Sequence, residues 1–209
     1  LDHGVGDLVA GMLGELHELR LPLGFDTVAH HRQEQRRRLP RARGMLLEDL
    51  RAAMPVDVVH IRPARLKDAP ALAAAYEEAW RGAYQGIIPH LSLQRMIARR
   101  GLRWWESALR RRTPLLVLDF DGEAAGYVTY GRSRMGRSPF QGEIFELYVH
   151  PTYQGFGLGE KLFDGARIRL AELRLKGLLV WALADNDAAC GFYLHLGGKP
   201  VAEGAESFG

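Results

Sequence analysis

The stretch EIFELYVHPTYQGFGLGE, residues 143–160, decides the fold of this chain more than any other part of it. It begins as a β-rich run, passes Pro151, and enters a glycine-rich turn at residues 154–159 from which a helix begins at once. Glycine lets the backbone turn sharply, and the unpaired amides at the start of a helix favour negative charge. A strand, loop and helix in this order are typical of a pyrophosphate site.

Other glycine-rich motifs fit these residues less well. The glycines run G-x-G-x-G, whereas a dinucleotide-binding fingerprint needs G-x-G-x-x-G. Glu172 lies within the following helix, which is the wrong place for the acidic residue of that fold. A P-loop needs Lys followed by Ser or Thr, but here Glu160 and Lys161 lead into Leu162. A glycine-rich turn without a ligand remains the plain structural alternative.

The flanking patterns predict the rest of the domain. A strand near residues 56–64 is followed by a helix that begins at Asp68 and by a second helix over roughly Leu91–Arg110. Two β-rich runs around Asp121–Gly122 indicate a hairpin. After the loop come a long helix, a buried strand, a short helix that ends at residues 197–198, and one more strand. Helices that interrupt a mixed sheet indicate an α/β (α+β) fold.

Three blocks of the sequence resemble the GNAT superfamily, the GCN5-related N-acetyltransferases. The Q-x-x-G-x-G of residues 154–159, after a strand that ends in V-x-P, is similar to the family's acetyl-CoA signature. NDAACGFY at residues 186–193 and the following LGG resemble N-x-x-A-x-x-F-Y-x-x-x-G-F, with Gly198 in place of the closing Phe. EAWRGAYQGIIP, residues 78–89, is similar to A-W-R-x-A-Y-x-G-x-x-P in bacterial members.

The resemblance covers Val58 to Gly209 and has consequences for fold and function. It implies a mixed, mostly antiparallel twisted sheet flanked by helices. In the family a last strand follows the position of Gly209, where this sequence ends. It implies an acyltransferase that moves the acetyl group of acetyl-CoA to a primary amine of a small molecule or peptide by direct attack, without a metal. The alternative is a non-catalytic module that binds acetyl-CoA as a sensor.

The resemblance also assigns residues to the acetyl-CoA site. Backbone amides of Leu147, Tyr148 and Val149 are expected to face the acetyl and pantetheine groups, and Tyr193 is expected to protonate the leaving thiolate. Asn186, seven residues before Tyr193, shares one face of the short helix with it. The full set of cofactor-binding residues is Leu147, Tyr148, Val149, Gln154, Gly155, Phe156, Gly157, Leu158, Gly159, Glu160, Asn186 and Tyr193.

The general base is less clearly marked in the sequence. Some family members have a glutamate where this chain has Trp181, which cannot accept a proton. Others use a glutamate on the strand before the loop, and Glu143 matches that position. By the period of two along a strand, Glu143 shares a face with Leu147, whereas Glu146 shares one with Tyr148. Glu143 is therefore favoured as the base, and proton transfer through water remains the alternative.

The sequence does not indicate which amine acceptor the protein uses. Aromatic residues of the two early helices and of the third strand are candidates for the acceptor wall, although aromatics at helical spacing more often lie in a core. The arginines at 99, 100, 103 and 110–112 make the second helix basic, and a solvated face is their ordinary explanation. The aromatic candidates are Trp80, Tyr84, Trp104, Trp105 and Tyr130.

The first 54 residues lack any of these motifs. Their apolar spacing predicts a helical N-terminal extension over residues 1–54, followed by the acetyltransferase domain over 55–209. Since every matched motif lies downstream, we expect the extension to be dispensable for cofactor binding. The net charge of +3 permits an anionic ligand but does not demand nucleic acid. A single cysteine and no membrane span or signal fit a cytoplasmic protein, and a homodimer stays open.

Overall fold

A twisted sheet with helices on both faces carries the structure, a computed structural model that describes residues 20–25, 58–135 and 138–201. Two short 3-10 turns precede the first and fourth helices, at Leu66–Asp68 and Pro151–Tyr153. The strands are β1 (Arg20–Phe25), β2 (Val59–Pro63), β3 (Leu115–Phe120), β4 (Glu123–Arg132), β5 (Gly142–Val149), β6 (Leu178–Leu183) and β7 (Lys199–Pro200). The helices are α1 (Ala69–Tyr84), α2 (His90–Ala98), α3 (Leu102–Arg110), α4 (Leu158–Glu172) and α5 (Asp187–His195).

Within the described ranges the strands form one sheet in the order β2-β3-β4-β5-β6-β1-β7. Every neighbouring pair is antiparallel except β5 and β6, which run parallel. This mixed, mostly antiparallel sheet confirms the predicted fold class. The predicted hairpin around Asp121–Gly122 joins β3 to β4.

Side chains that alternate along β3 fill two separate cores. Leu116 and Leu118 lie in the core that contains α4 and Tyr193, whereas Leu115 and Val117 lie in the core beneath α1 and α3. This alternation is the expected consequence of a strand buried on both faces. The sheet therefore separates the residues around the glycine-rich loop from the aromatic residues of the early helices.

The predicted second helix is two helices. The segment Leu91–Arg110 breaks at residues 99–101 into α2 and α3, because Arg100 turns into the interior and Gly101 takes the N-cap position of α3 with extended backbone. The spacing of apolar residues survives across the break, so the sequence pattern alone looks continuous.

Strand β1 corrects the predicted domain boundary. Residues 20–25 were expected in a helical extension, but they form a strand that pairs antiparallel with β6 over six residues and with β7 over two. Leu23 and Phe25 are buried in the same core as Tyr193. Without β1, backbone groups of β6 and β7 would face a gap in the sheet, which is costly for buried amides. The predicted helices at residues 8–19 and 45–53 lie outside the described residues.

An arginine clamp ties the start of α1 to the sheet. Arg62 on β2 donates to Asp119 at 2.5 Å, and to both oxygens of Asp68 at 2.7 and 2.9 Å. Asp68 also accepts from the Arg65 amide at the helix start. Burial is the largest single influence and would raise the pKa of both carboxyls. The hydrogen bonds and charge of Arg62, together with one backbone amide at each carboxyl, outweigh it and hold the pKa of Asp68 and of Asp119 below the ordinary value.

We therefore expect the Arg62→Met variant to unfold at a less acidic pH than the wild type. A depressed carboxyl pKa stabilises the fold above the unfolded pKa, near 3.9, and this stability is lost as pH falls through the folded pKa. The substitution removes the cause of the lowered carboxyl pKa values, so acid unfolding should begin at a higher pH. The free energy of unfolding at neutral pH should fall by roughly 2 kcal/mol. Urea unfolding at several pH values measures both effects. Arg81→Met, which removes an exposed pair with Glu77, should change stability by less than about 0.5 kcal/mol.

Candidate active site

A cavity of about 580 Å³ lies where the end of β5, the glycine-rich loop and α5 meet. This volume is in the ordinary range for a small-molecule site. Small residues of α1, namely Ala79, Gly82 and Ala83, also line it. The glycine-rich loop at residues 154–159 and the motif at residues 186–193 therefore both line this cavity.

The glycine-rich loop has the backbone that its sequence predicts. Gly155 and Gly157 have φ angles of 84° and 75°, a left-handed conformation that favours glycine. Gly157 is the N-cap of α4, and Lys161 donates the first hydrogen bond of the helix to its carbonyl at 3.4 Å. By the geometry of a helix start, the amides of Leu158 and Gly159 have no acceptor within the helix, and both residues line the cavity. This arrangement suits an anionic group.

Two loop residues, Gln154 and Gly159, have a structural role in addition to lining the cavity. The Gln154 side chain donates to the Val149 carbonyl at 2.8 Å and so closes the loop against the end of β5. A Cβ at Gly159 would lie 3.3 Å from the ring of Phe192, so glycine there lets α4 pack closely on α5. Both residues line the cavity while holding its walls together.

The end of β5 has a free edge toward the cavity. β5 pairs with β6 only from Gly142 to Ile144, and beyond that point the described strands give it no partner on this side. It stays paired with β4 as far as Val149. Separation of two parallel strands leaves backbone amides and carbonyls available to a ligand, because no neighbouring strand uses them. Leu147, Tyr148 and Val149 line the cavity at this separation.

Asn186 and Tyr193 line the cavity from α5. Asn186 caps the helix by accepting from the Ala189 amide at 3.0 Å, which leaves its side-chain amide group as the part that can meet a ligand. Tyr193 is 6% exposed, and its ring lies 5.0 Å from that of Phe192 and 6.2 Å from that of Phe163. Burial, with a smaller contribution from Tyr84, raises the pKa of Tyr193 well above its usual range, so the hydroxyl keeps its proton at neutral pH.

The structure gathers nearly all the predicted cofactor-binding residues around this cavity. Phe156 is the exception, since its half-buried side chain packs against the core. The sequence analysis gave no role to several further lining residues: the motif block at 186–193 contained some of them, and the small residues of α1 gave no signal. These are Ala79, Gly82, Ala83, Pro151, Tyr153, Ala188, Ala189, Phe192, His195 and Leu196.

A β-bulge changes the predicted faces of β5. Thr129 pairs with Glu146 and Tyr130 with Ile144, so Phe145 is an extra residue on β5. Ile144 consequently joins the core of Val149, and its neighbour Glu143 points to the other side of the sheet. The prediction that Glu143 shares a face with Leu147 is therefore wrong, because the period of two is interrupted between them.

Glu143 lies in an ion pair away from the cavity. Its side chain is completely buried, forms a salt bridge with Arg134, and also accepts from the Arg134 amide at 2.9 Å. It is four residues before Leu147, roughly 13 Å along the strand. The prediction of Glu143 as a base stays a prediction, but the structure does not bring it together with Tyr193.

Glu146 forms a second buried ion pair. Arg100, which is 1% exposed, donates to it at 2.5 Å, and the Tyr127 hydroxyl lies 3.5 Å from its other oxygen. The Arg100 guanidinium also lies over the rings of Tyr76 and Trp104. Since Arg100 is in the interior, a solvated face does not explain this arginine. It ties the α2–α3 junction to β5, one residue before Leu147.

The aromatic acceptor candidates divide between the two cores. Trp80 and Trp105 are buried beneath α1 and α3, whereas Tyr130 lies in the core on the α4 side of the sheet. Tyr84 reaches the cavity lining, because its hydroxyl is 2.9 Å from that of the cavity residue Tyr148. Most of these aromatics therefore pack the protein, and the Tyr84–Tyr148 pair is the part that borders the site.

Comparison with known families matches residues 72–197 to the acetyltransferase (GNAT) family. The matched range contains the loop, β5, and α5 with Asn186 and Tyr193. The chain belongs to the GNAT acetyltransferase family. This confirms the resemblance and makes the chain an acyltransferase by family.

Individual GNAT relatives are distant. The chain is 25% identical over 146 residues to the N-acetyltransferase YuaI of Bacillus subtilis, a match covering 70% of this chain and 83% of that protein. It is 32% identical over 124 residues to the mycothiol acetyltransferase of Paenarthrobacter aurescens, covering 58% of this chain but only 38% of that protein. The yncA protein of Salmonella typhimurium, crystallised with its cofactor acetyl-CoA, aligns with a TM-score of 0.51 at 25% identity, covering 70% and 82% of the two chains.

Among residues 20–25, 58–135 and 138–201, no group of three or more His, Cys, Asp or Glu side chains is arranged to hold a metal ion. Over the same residues, no helix has the length and apolar character needed to cross a membrane.

Proposed function

We propose that this chain transfers the acetyl group of acetyl-CoA to a primary amine by direct attack. The observation that carries the proposal is the cavity in which the α4 N-terminus, the free edge of β5 and Tyr193 meet. The first offers amides to an anion, the second offers backbone groups beside a carbonyl, and the third offers a proton. An acetyl thioester with a pyrophosphate needs these three kinds of group.

Acetyl-CoA fits the residues present at the site. The loop from Gln154 to Gly159 would hold the pyrophosphate, and Asn186 would meet the pantetheine amide. Backbone amides at the end of β5 would stabilise the charge that develops on the carbonyl oxygen, since preorganised donors in a water-poor site are effective there. The acetyl-CoA thioester supplies the activated acetyl group, and the protein supplies orientation and proton transfer.

Tyr193 is proposed to protonate the departing thiolate. The amine nitrogen forms a bond to the carbonyl carbon, the carbon–sulfur bond breaks with its electron pair on sulfur, and the tyrosine hydroxyl gives sulfur a proton. Burial raises the pKa of Tyr193, so it enters the reaction protonated. The same surroundings disfavour a thiolate, which keeps the transfer from being strongly uphill. The new amide nitrogen then loses its extra proton, which passes through water to the tyrosinate and restores the hydroxyl.

The amine has an ordinary pKa near 10 and must lose a proton before it attacks. Glu143 and Glu146 are each held in a buried ion pair and neither lines the cavity. Proton transfer to water in the cavity is therefore better supported than direct transfer to Glu143. We expect Glu143→Gln to keep kcat/KM within about threefold and to leave its pH profile unchanged. A direct general base would instead lose about 10²-fold or more, together with one limb of the profile.

The acceptor is a primary amine of a small molecule or a peptide, and a cytoplasmic site of action fits the single cysteine. Turnover of acetyl-CoA against a panel of amino acids, polyamines, amino sugars and peptide N-termini distinguishes a small-molecule acceptor from a peptide acceptor. One class should show saturable turnover, and competition with the others would define the acceptor. Tight coenzyme A binding with no turnover on any amine would favour the alternative, an acetyl-CoA sensor.

A further inference from the structure

The N-terminal strand reaches the catalytic side of the domain. Phe25, the last residue of β1, is opposite Leu178 on β6, and its side chain enters the core between β6, α4 and α5. Its ring centroid lies 5.0 Å from that of Phe163 on α4 and 6.4 Å from that of Tyr193 on α5. Phe25 is therefore part of the packing around the tyrosine, although every other site residue lies far later in the sequence.

Gly198 gives a reason why this space is open to Phe25. This is the position at which the family motif has a phenylalanine and this chain has none. A Cβ at Gly198 would lie 2.7 Å from the Phe25 ring and 2.8 Å from the Tyr193 carbonyl. The ring of Phe25 thus occupies space next to the backbone of residue 198, on the side that carries Tyr193.

Three rings surround Tyr193 in different directions. Phe192 and Phe163 contact it from α5 and α4, and Phe25 meets it edge-on from the sheet. The hydroxyl end of such a ring is fixed only when its rotations about both side-chain bonds are blocked by packing. Removal of one of the three rings leaves room for rotation, and misplacement of a reacting group by about 1 Å costs up to about 10²-fold in rate.

We propose that Phe25 is a positioning residue, which holds the Tyr193 hydroxyl toward the thiol of coenzyme A. The inference rests on the proposed function, because it takes Tyr193 to be the acid. It makes the N-terminal strand part of the catalytic unit rather than an appendage. Phe25 does not line the cavity, so it would act on catalysis through the residues that it packs against. Of the two rings Phe163 and Tyr193, Tyr193 is the one that lines the cavity.

A double-mutant cycle on turnover tests this inference in the full chain. Phe25→Ala should lower kcat about tenfold and leave KM for acetyl-CoA within twofold. In the Tyr193→Phe background, the same change should lower kcat by less than twofold, because no hydroxyl is left to misplace. Phe25→Leu, which keeps most of the apolar volume, provides the same cycle if the alanine variant does not fold.

The control is Leu118→Ala, a loss from the same core on β3, whose effect per folded molecule should be equal in both backgrounds. An equal fall in kcat for Phe25→Ala with and without the Tyr193 hydroxyl would overturn the inference and leave Phe25 a structural residue. If Tyr193→Phe alone leaves turnover unchanged, the assignment of Tyr193 as the acid is wrong. That result is distinguishable from a failure of the Phe25 inference, which requires an active role for the Tyr193 hydroxyl.

Discussion

Gly157→Val should abolish measurable coenzyme A binding while the domain stays folded. Gly157 has a φ angle of 75°, and a β-branched side chain in that conformation is strained by about 1–2 kcal/mol. The strain falls on the N-cap of α4, so the amides that would face the pyrophosphate are displaced together. Calorimetric titration with coenzyme A measures the loss, and a thermal melt of the same sample shows whether the fold survives.

Gly122→Val is the matched control for this substitution. Gly122 has a φ angle of 90° in the β3–β4 turn and open space around its Cβ position, so the backbone strain is similar but far from the loop. Coenzyme A affinity should stay within twofold there. If folded Gly157→Val bound coenzyme A with wild-type affinity, the loop would not be the pyrophosphate site.

Tyr193→Phe should lose roughly 10- to 1000-fold in turnover and bind coenzyme A almost normally, as expected for a general acid. Only the oxygen is removed, and the three surrounding rings keep the phenylalanine in place. A purely structural tyrosine would lose about 1 kcal/mol of stability with little change in rate. Initial rates and melting temperature measured on one preparation distinguish the two roles.

Tyr153→Phe serves as the control for loss of a hydroxyl in the cavity. Tyr153 also lines the cavity, next to the loop, but it lies outside α5. Its turnover should remain within about threefold of the wild type. Equal losses in the two variants would point to a general disturbance of the cavity instead of a proton donor at Tyr193.

Local sequence signals predicted the loop and α5 well. The left-handed backbone at Gly157 and the helix start at Asn186 depend on residues close together in the chain. The place of Tyr193 in the site was implied by the family resemblance instead, and the structure puts its side chain in the cavity lining. Glycine favours a positive φ and asparagine favours a helix N-cap, so the sequence marks the places where these features can form. The same holds for the hairpin at Asp121–Gly122.

The face of Glu143 could not be predicted by the same reasoning. A bulge at Phe145 depends on how β4 and β5 align, and one extra residue reverses the side to which the earlier side chains point. The buried Arg100 was missed for a related reason. Its partner Glu146 is 46 residues away, and nothing near Arg100 in the sequence distinguishes it from the solvated arginines beside it.

The role of residues 20–25 was also beyond local reasoning. RLPLGF is short, contains a proline and a glycine, and has weak strand character on its own. Its strand conformation comes from pairing with β6 and β7, whose residues lie more than 150 positions later. Tertiary pairing of this kind decides whether a weak segment becomes a strand, which is why the boundary near residue 55 was wrong for β1.

The most direct test of acetyl transfer is a product balance with acetyl-CoA labelled in its acetyl group and the best acceptor of the amine panel. The wild-type protein should release one coenzyme A thiol for each labelled N-acetyl amine formed. Turnover should be saturable and should fall in Tyr193→Phe. Thiol release without labelled amine, or coenzyme A binding with neither product on any acceptor, would contradict acetyl transfer to an amine.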